Sequence, residues 1–529
     1  MYVISYDVGT TGLKSCLFDI SRERGIINVD GEMEDYDLYV LENGGVEQDP
    51  EQWWQAMCTT TRRLLEEAGV SKEEIRGISF CAQMQGLVLV DRDGIPVRKA
   101  MSYMDNRSAE QIKKGLNHGV RIAGMNARKL LRSLKITGAV SASVKDPLWR
   151  YRWVADNEPE AFARVYKWLD VKDYLVCRAS GRFTMSRDSA FSTLIYDTRE
   201  GKEGFSEELC KMFGVNMEHL PEIVSSSESV GGITEAAAEQ LGLVAGTPVF
   251  SGGGDASLIG VGAGAVENGD THVYIGTSGW VSTVTDKQKL DVGSMIASAV
   301  GVKEGHFYCF AELETAGKCF EWAKDHIMMD DIDLFSKVTF ADDIEDQKIN
   351  AYGYIMNKID GIPPGSNGVI FTPWLHGNRC PFEDPNARGM FFGLGLENTA
   401  ADMYHAVVEG VCLHLKWQMI AMSKLLPISD PIRFAGGGAL SDLSCQILAD
   451  VLNKRIEVTD DPQNTGAAGA AALMAVGLGE IDNLDEVKQM VKVERTYEPN
   501  PDNVAVYDKL FGTFKNLYKD NKKNFKEIV

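Results

Sequence analysis

Tyr6-Asp7-Val8-Gly9-Thr10-Thr11-Gly12, near the N-terminus, has a counterpart in Tyr274-Ile275-Gly276-Thr277-Ser278-Gly279, in the middle of the chain. Each lies between β-rich runs. Val3 to Tyr6 and Lys14 to Phe18 flank the first, and His272 to Ile275 and Trp280 to Thr285 flank the second. The pattern predicts a strand that turns through Gly-Thr-Thr or Gly-Thr-Ser and returns as a strand. Glycine lets the backbone approach a ligand closely. The turn aims successive N–H groups and hydroxyls at one point, which suits an anion such as a phosphate. One hairpin in each half predicts two domains gripping a nucleotide between them.

The rest of the chain agrees with that division. At 529 residues it exceeds one ordinary core. With 44% hydrophobic and 25% charged residues it has the composition of a soluble globular protein. A net charge of -22 argues against nucleic acid or an anionic membrane as partner. It leaves a bound nucleotide open, because backbone dipoles and a metal ion can hold phosphates on an acidic protein. No run of about 18 apolar residues predicts a membrane span. The N-terminus goes directly into Tyr2-Val3-Ile4-Ser5-Tyr6 without a signal-like segment, so a cytoplasmic location is expected. Ten cysteines without a Cys-x-x-Cys pair read as buried thiols, and eight histidines show no metal-binding spacing.

Along the chain, the first forty residues predict a β-meander whose third strand lies near Leu38 to Leu41. Asp49-Pro50 opens a helix with an N-cap and a first-turn proline, Trp54, Met57, Cys58, Thr61, Leu64, Leu65 and Ala68 share one face, and Gly69 ends it. Ile75 to Cys81 and Leu87 to Val90 read as strands, and Lys145 to Ser180 as helices. A strand from Thr247 to Ser251 leads into Gly252-Gly253-Gly254-Asp255. The domain change is expected near residues 256–270, giving domains of 1–263 and 264–529. A later strand, Pro431 to Phe434, runs into Ala435-Gly436-Gly437-Gly438-Ala439 and a helix holding Gln446 to Asp450. Lys509 to Val529 reads as a charged packing helix. The fold class is α/β with a mixed sheet in each half, and the default site is the cleft between them.

Asp7, at a strand end, is a poor choice for a plain β position. It makes sense holding hydrated Mg²⁺, which takes one or two carboxylates plus phosphate oxygens. Asp255 follows three glycines, where a ligand can come close. A carboxylate there can accept the proton of a substrate hydroxyl as its oxygen attacks a γ-phosphate. The bland alternative is a flexible interdomain turn with a solvated aspartate. Ala435 to Ala439 either lets an adenine ring lie against backbone or is a tight strand-to-helix turn. There is no G-x-x-x-x-G-K-S/T, which excludes a P-loop enzyme. There is no G-x-S-x-G elbow, and Ser278 has no histidine partner suggested nearby.

Over nearly its whole length the chain resembles the FGGY carbohydrate kinases, within the actin-like, ribonuclease-H-like ATPase superfamily. The resemblance rests on Asp7 to Lys14, Gln83-Met84-Gln85-Gly86, Gly252 to Asp255, Gly276-Thr277-Ser278-Gly279 and Gly436 to Asp450, in the family's order. Gly389-Met390-Phe391-Phe392-Gly393-Leu394, with Asp402-Met403 and Ala406-Val407-Val408-Glu409, looks like the family's C-terminal signature. So does Leu375-His376-Gly377-Asn378-Arg379-Cys380-Pro381 with the following Asp384-Pro385 and Ala387-Arg388-Gly389. The resemblance implies two ribonuclease-H-like domains and an ATP- and Mg²⁺-dependent kinase acting on a small sugar, with a homodimer left open.

It also implies roles. Asp255 matches the catalytic base and Asp7 the metal contact. Thr10, Thr11, Gly12, Lys14, Gly276 and Thr277 match residues around the phosphates, Gly317 another ATP contact, and Gly437 and Ser441 positions beside the adenosine. Gln83, Met84, Gln85, Tyr103 and Asp105 match the sugar site, together with Asp255. Gln-Met-Gln-Gly is similar to the xylulokinase branch, whose usual form is Gln-Met-His-Gly, and Tyr103-Met104-Asp105-Asn106-Arg107 parallels its Trp-x-Asp-x-Arg. Glycerol kinases carry Arg-Glu at the places of Met84 and Gln85. The expected substrate is therefore a pentulose such as D-xylulose, with another ketose, a polyol or an aldonate as the alternative. An actin-like ATPase or a sugar sensor without kinase activity is the reading from a different class.

Overall fold

The computed structural model describes residues 1–122, 124–328 and 351–528. In the first half, β1 (Tyr2–Val8), β2 (Gly12–Ser21) and β3 (Gly25–Asp35) form an antiparallel meander. The Gly9 N–H donates to the Gly12 carbonyl at 2.9 Å and closes the first turn. Helix α1 (Pro50–Ala68) starts at Asp49, whose carboxylate accepts from Glu51 N–H, and stops at Gly69 in the left-handed region. It buries Trp53, Trp54, Met57 and Leu64 under the meander. Strand β4 (Ile75–Ala82) then runs parallel to β1. Helix α2 (Val171–Ser180) precedes β5 (Pro248–Phe250), parallel to β4, and α3 (Asp255–Gly262) closes the unit.

The second half repeats this plan. Strands β6 (Thr271–Ile275), β7 (Gly279–Thr285) and β8 (Phe307–Leu313) are antiparallel, β9 (Ile432–Ala435) is parallel to β6, and β10 (Ile456–Thr459) is parallel to β9. The strand orders β3-β2-β1-β4-β5 and β8-β7-β6-β9-β10 are therefore the same. Its helices include α4 (Gly317–Ala323), α5 (Ala400–Met422), α6 (Asp442–Leu452), α7 (Thr465–Gly477) and α8 (Pro501–Ile528). The α/β twin-domain architecture implied by the sequence is what the chain adopts.

Three local expectations need correction. The third strand of the meander is Gly25–Asp35; Leu38 to Leu41 contributes only Tyr39–Val40, in a small hairpin with Val46–Gln48. The acidic residues of β3 hide it from an apolar count, because it is held by pairing along β2 and bears Ile27, Val29 and Met33 on an exposed face. Val88–Val90 leaves the main sheet and pairs with Lys167–Leu169, which interrupts the helices expected over 145–180. The last helix begins at Pro501 and buries Tyr507, Phe511, Phe514 and Leu517 in the second core.

Helix α7 carries the detail that positions the site. Although late in sequence, it packs on β1 and β4 of the first sheet and against α3. Its run Thr-Gly-Ala-Ala-Gly-Ala-Ala-Ala is dictated by that contact. A Cβ on Gly469 would lie 2.2 Å from the Leu258 carbonyl oxygen, and one on Gly262 1.8 Å from that of Thr465. Backbone therefore meets backbone where the last turn of α3 crosses the first turn of α7, and the start of α7 lies beside Asp7 at the end of β1. All ten cysteines are buried and unpaired. Among the described residues, no helix is long and apolar enough to cross a membrane.

Candidate active-site cleft

Sheet register sets the centre. Asp7 on β1 faces Lys14 across the antiparallel pair and Cys81 across the parallel one, and Cys81 pairs in turn with Gly253. Asp255 begins α3 two residues later, recessed at the cleft floor, with its Oδ1 accepting the Ala256 N–H at 2.7 Å. Burial pushes its carboxyl up to about 7, against that hydrogen bond and with help from the charges of Asp7, Asp170 and Glu312. A carboxyl titrating near neutrality is matched to taking a proton from an alcohol. Burial also raises Asp7, while the Lys14 ammonium and the Cys81 thiol pull it back. The Lys14 ammonium donates to Asn464 Oδ1 at 2.8 Å, just ahead of α7. A Cβ on Gly466 would come within 2.8 Å of the Cys81 sulfur and 3.4 Å of Asp7 Oδ2, so the start of α7 must be this small.

Among the described residues, no three His, Cys, Asp or Glu side chains converge to hold a metal. Asp7 alone still fits Mg²⁺, which characteristically completes its octahedron with phosphate oxygens and water.

The Gln83–Gly86 loop forms the adjoining wall. Gln83 is buried and acts as a strut, donating to the Gly9 carbonyl at 2.9 Å. Met84 lies against Gly254, where a Cβ would meet its sulfur at 2.3 Å, and the Tyr308 hydroxyl approaches that sulfur at 4.0 Å. Gln85 is left-handed, with φ 64°, held by its N–H on Asp170 at 3.0 Å and its carbonyl on Arg150. Its half-buried side-chain amide has no partner among the described residues, which leaves it free for a ligand. The Tyr103 hydroxyl lies 3.3 Å from that of Thr10, joining the loop that carries Tyr103 to the first hairpin. Asp105 has no exposed surface, and its oxygens take the Val46 N–H and the Arg107 guanidinium. Any part it plays in binding passes through that turn.

The other predicted positions lie around the two hairpins. Thr11 is exposed at the first turn, and a Cβ on Gly12 would crowd Met33 and Asp35. In the second hairpin the Gly317 N–H donates to the Gly276 carbonyl at 2.8 Å and the Lys318 N–H to that of Thr277 at 3.1 Å, so α4 starts on the turn. Gly437 is exposed with open space before it, and Ser441 caps α6 by accepting the Ser444 N–H. Gly437 and Ser441 follow β9, which lies beside β6 of the second hairpin.

Sequence reasoning missed Asp170, Cys81, Asp188 and Gly466. Asp170 takes both the Gln85 and Gly86 N–H groups while capping α2, and burial raises it to about 7. Asp188 accepts the Gly254 N–H at 2.7 Å and fixes the approach to Asp255. Only the N-cap position of Asp170 was visible in the sequence. The Gln85 and Gly86 N–H groups it accepts come from some 85 residues away, and the Ser192 hydroxyl from 22 residues away.

The chain is similar to known proteins over most of its length. The family model for the N-terminal domain of the FGGY family of carbohydrate kinases matches residues 2–262, and that for its C-terminal domain matches residues 272–478. A xylulose kinase of Staphylococcus epidermidis is 29% identical over 98% of this chain and 97% of its own. A gluconokinase of Bacillus subtilis is 27% identical over 98% of this chain and 95% of its own. Among solved structures, a ligand-bound xylulose kinase from Lactobacillus acidophilus has a TM-score of 0.83 over the whole of both chains at 24% identity, a likeness of fold.

Proposed function

The chain belongs to the FGGY family of carbohydrate kinases, and from that premise we propose that it transfers the terminal phosphoryl group of ATP to a primary hydroxyl of a pentulose such as D-xylulose. The observation that carries this reading is Asp255, a recessed carboxyl raised to about 7 at the start of α3, on the same cleft floor as Asp7 and Lys14.

The sugar lies between the Gln83–Gly86 loop and Tyr103. The Gln85 amide and the Tyr103 ring supply the hydrogen bonding and the apolar face that a polyol needs. Asp255 accepts the hydroxyl proton as the sugar oxygen bonds to phosphorus, the bond from phosphorus to the bridging oxygen breaks, and ADP leaves with the electron pair. Thr10, Thr11, Gly12 and Lys14 on one side and Gly276, Thr277 and the Gly317 end of α4 on the other surround the phosphates. Their N–H groups and hydroxyls meet the charge spread over the transferring group. Gly437 and Ser441 would lie beside the adenosine. Mg²⁺ entering with ATP at Asp7 would neutralise phosphate charge. Closure of the cleft would keep water from competing with the sugar hydroxyl.

Support for a ketose comes from the xylulose kinase relative and from Met84-Gln85 in place of Arg-Glu. A second reading, an aldonate, is favoured by the gluconokinase of similar likeness. A coupled ADP-release screen over pentuloses, hexuloses, polyols and aldonates tests both. D-xylulose giving the highest kcat/KM supports the proposal, and turnover confined to aldonates overturns it.

A further inference from the structure

Strand β8 lines the cleft with alternate residues. Cys309, Ala311 and Leu313 point into the second core without exposure, which turns Tyr308, Phe310 and Glu312 the other way. Tyr308 reaches Met84 of the sugar loop, Phe310 packs on Trp280 with ring centres 5.3 Å apart, and Glu312 pairs in register with Trp280 beside the second phosphate turn. At this end of the strand Glu312 accepts from Arg379 Nη1 at 3.0 Å. The contact is single, and the Arg379 side chain remains 56% exposed while that of Glu312 is 27% exposed. The charges that bear most on Arg379 are Glu312, Glu314, Asp146 and Glu383. Those that bear on Tyr103 are Asp255, Glu312 and Glu314. The pair thus stands on the sugar side of the cleft, mostly among acids, with Lys145 the cation besides Arg379 that bears on Glu312.

We propose that the Glu312–Arg379 pair sets the charge class of the substrate: Glu312 neutralises the Arg379 guanidinium beside the sugar pocket and so confines the site to uncharged sugars. This rests on the sugar-kinase reading given above. A sugar acid needs an unpaired cation for its carboxylate, and a guanidinium whose fork is open is the group best shaped for it. With Glu312 in place, Arg379 is neutralised and an incoming carboxylate meets Glu312 and Glu314 as like charges. A neutral ketose pays no such penalty, and its hydroxyls can donate to the Glu312 carboxylate. Discrimination of this kind comes from the repulsive partner as much as from the attractive one.

The test compares D-xylulose and D-gluconate on the wild type, Glu312→Gln and the double variant Glu312→Gln/Arg379→Met. Glu312→Gln is expected to raise the gluconate-to-xylulose ratio of kcat/KM at least tenfold, mainly through the gluconate KM, with the gain shrinking as salt is added. The double variant should return the ratio to the wild-type range. Calorimetric binding of D-gluconate reads the same charge without turnover and should strengthen at least tenfold in Glu312→Gln only. An unchanged ratio and unchanged binding, or a gain that survives loss of Arg379, overturns the proposal. A wild type inactive on every sugar would sink the kinase reading instead, and the binding arm would still decide the role of the pair.

Discussion

Asp7 and Asp255 bear on the same buried thiol. Cys81 donates to Asp7, and burial, with the charges of both carboxylates added, pushes its own ionisation well up. The strands behind them explain why, since Asp7, Cys81 and Gly253 stand in one row across β1, β4 and the bridge leading to α3. The two acids are thus electrostatically coupled, and the negative charge of Asp7 is part of what keeps Asp255 protonated to about 7. Neutralising Asp7 with a cation would release Asp255 for use as a base.

A pH profile reads this directly. Asp255 must be ionised to accept a proton, so kcat/KM should rise tenfold per pH unit below about 7 and level above it. Saturating Mg²⁺ should move the break to lower pH. A profile flat from pH 5.5 to 8 would remove Asp255 from the rate-determining chemistry.

The same carboxyl should cost stability. The native group keeps its proton to about 7, whereas the unfolded chain releases it near pH 4. Its contribution is present below pH 4 and is lost as the pH rises through 7. Asp255→Asn keeps an oxygen for the Ala256 N–H and removes the burden of ionisation. Thermal melts should show the variant more stable than the wild type by a few degrees at pH 8, with the gap closing toward pH 4.5.

Asp170→Asn tests the positioning of the Gln83–Gly86 loop, proposed above to hold the sugar. The carboxylate serves the Gln85, Gly86 and Val171 N–H groups, and an amide offers only one acceptor oxygen. The sugar KM should rise about tenfold, with ATP binding unchanged and a stability loss of about 1–3 kcal/mol. An equal fall in kcat with all sugars at constant KM would contradict a positioning role.

The sequence carried the fold because the deciding pattern is local. A strand, a Gly-Thr turn and a return strand occur within about twenty residues, and their repetition announces two domains. Asp255 drew attention through the three glycines before it, but these do not leave open space: Phe80, Val302 and Met84 fill the room that their missing side chains leave. What could not be read was pairing at a distance. Asp170 meets Gln85 across 85 residues, Lys14 meets Asn464 across 450, and the Ala/Gly composition of α7 has a meaning only against Leu258. Asp105 was legible as a family position, yet its burial under Arg107 depends on a turn packed elsewhere. Strand β3 escaped because Asp30, Glu32, Glu34 and Asp35 break up its apolar run.

Tyr507→Phe tests how the last helix is anchored. Its hydroxyl donates to Glu409 at 2.8 Å, and that buried carboxyl also takes the Gly365 N–H and the Ser366 hydroxyl. Loss of one donor should cost about 1–2 kcal/mol in denaturant unfolding and leave kcat/KM within twofold. A large loss of activity would mean that this helix supports the cleft as well as the core.

Turnover of Asp255→Ala, by ADP release with D-xylulose and Mg-ATP, bears most directly on the account. It should fall by at least about a thousandfold, with calorimetric ATP affinity within threefold of the wild type and the melting transition intact. A folded variant that keeps more than a tenth of wild-type turnover would contradict the assignment of Asp255 as the base.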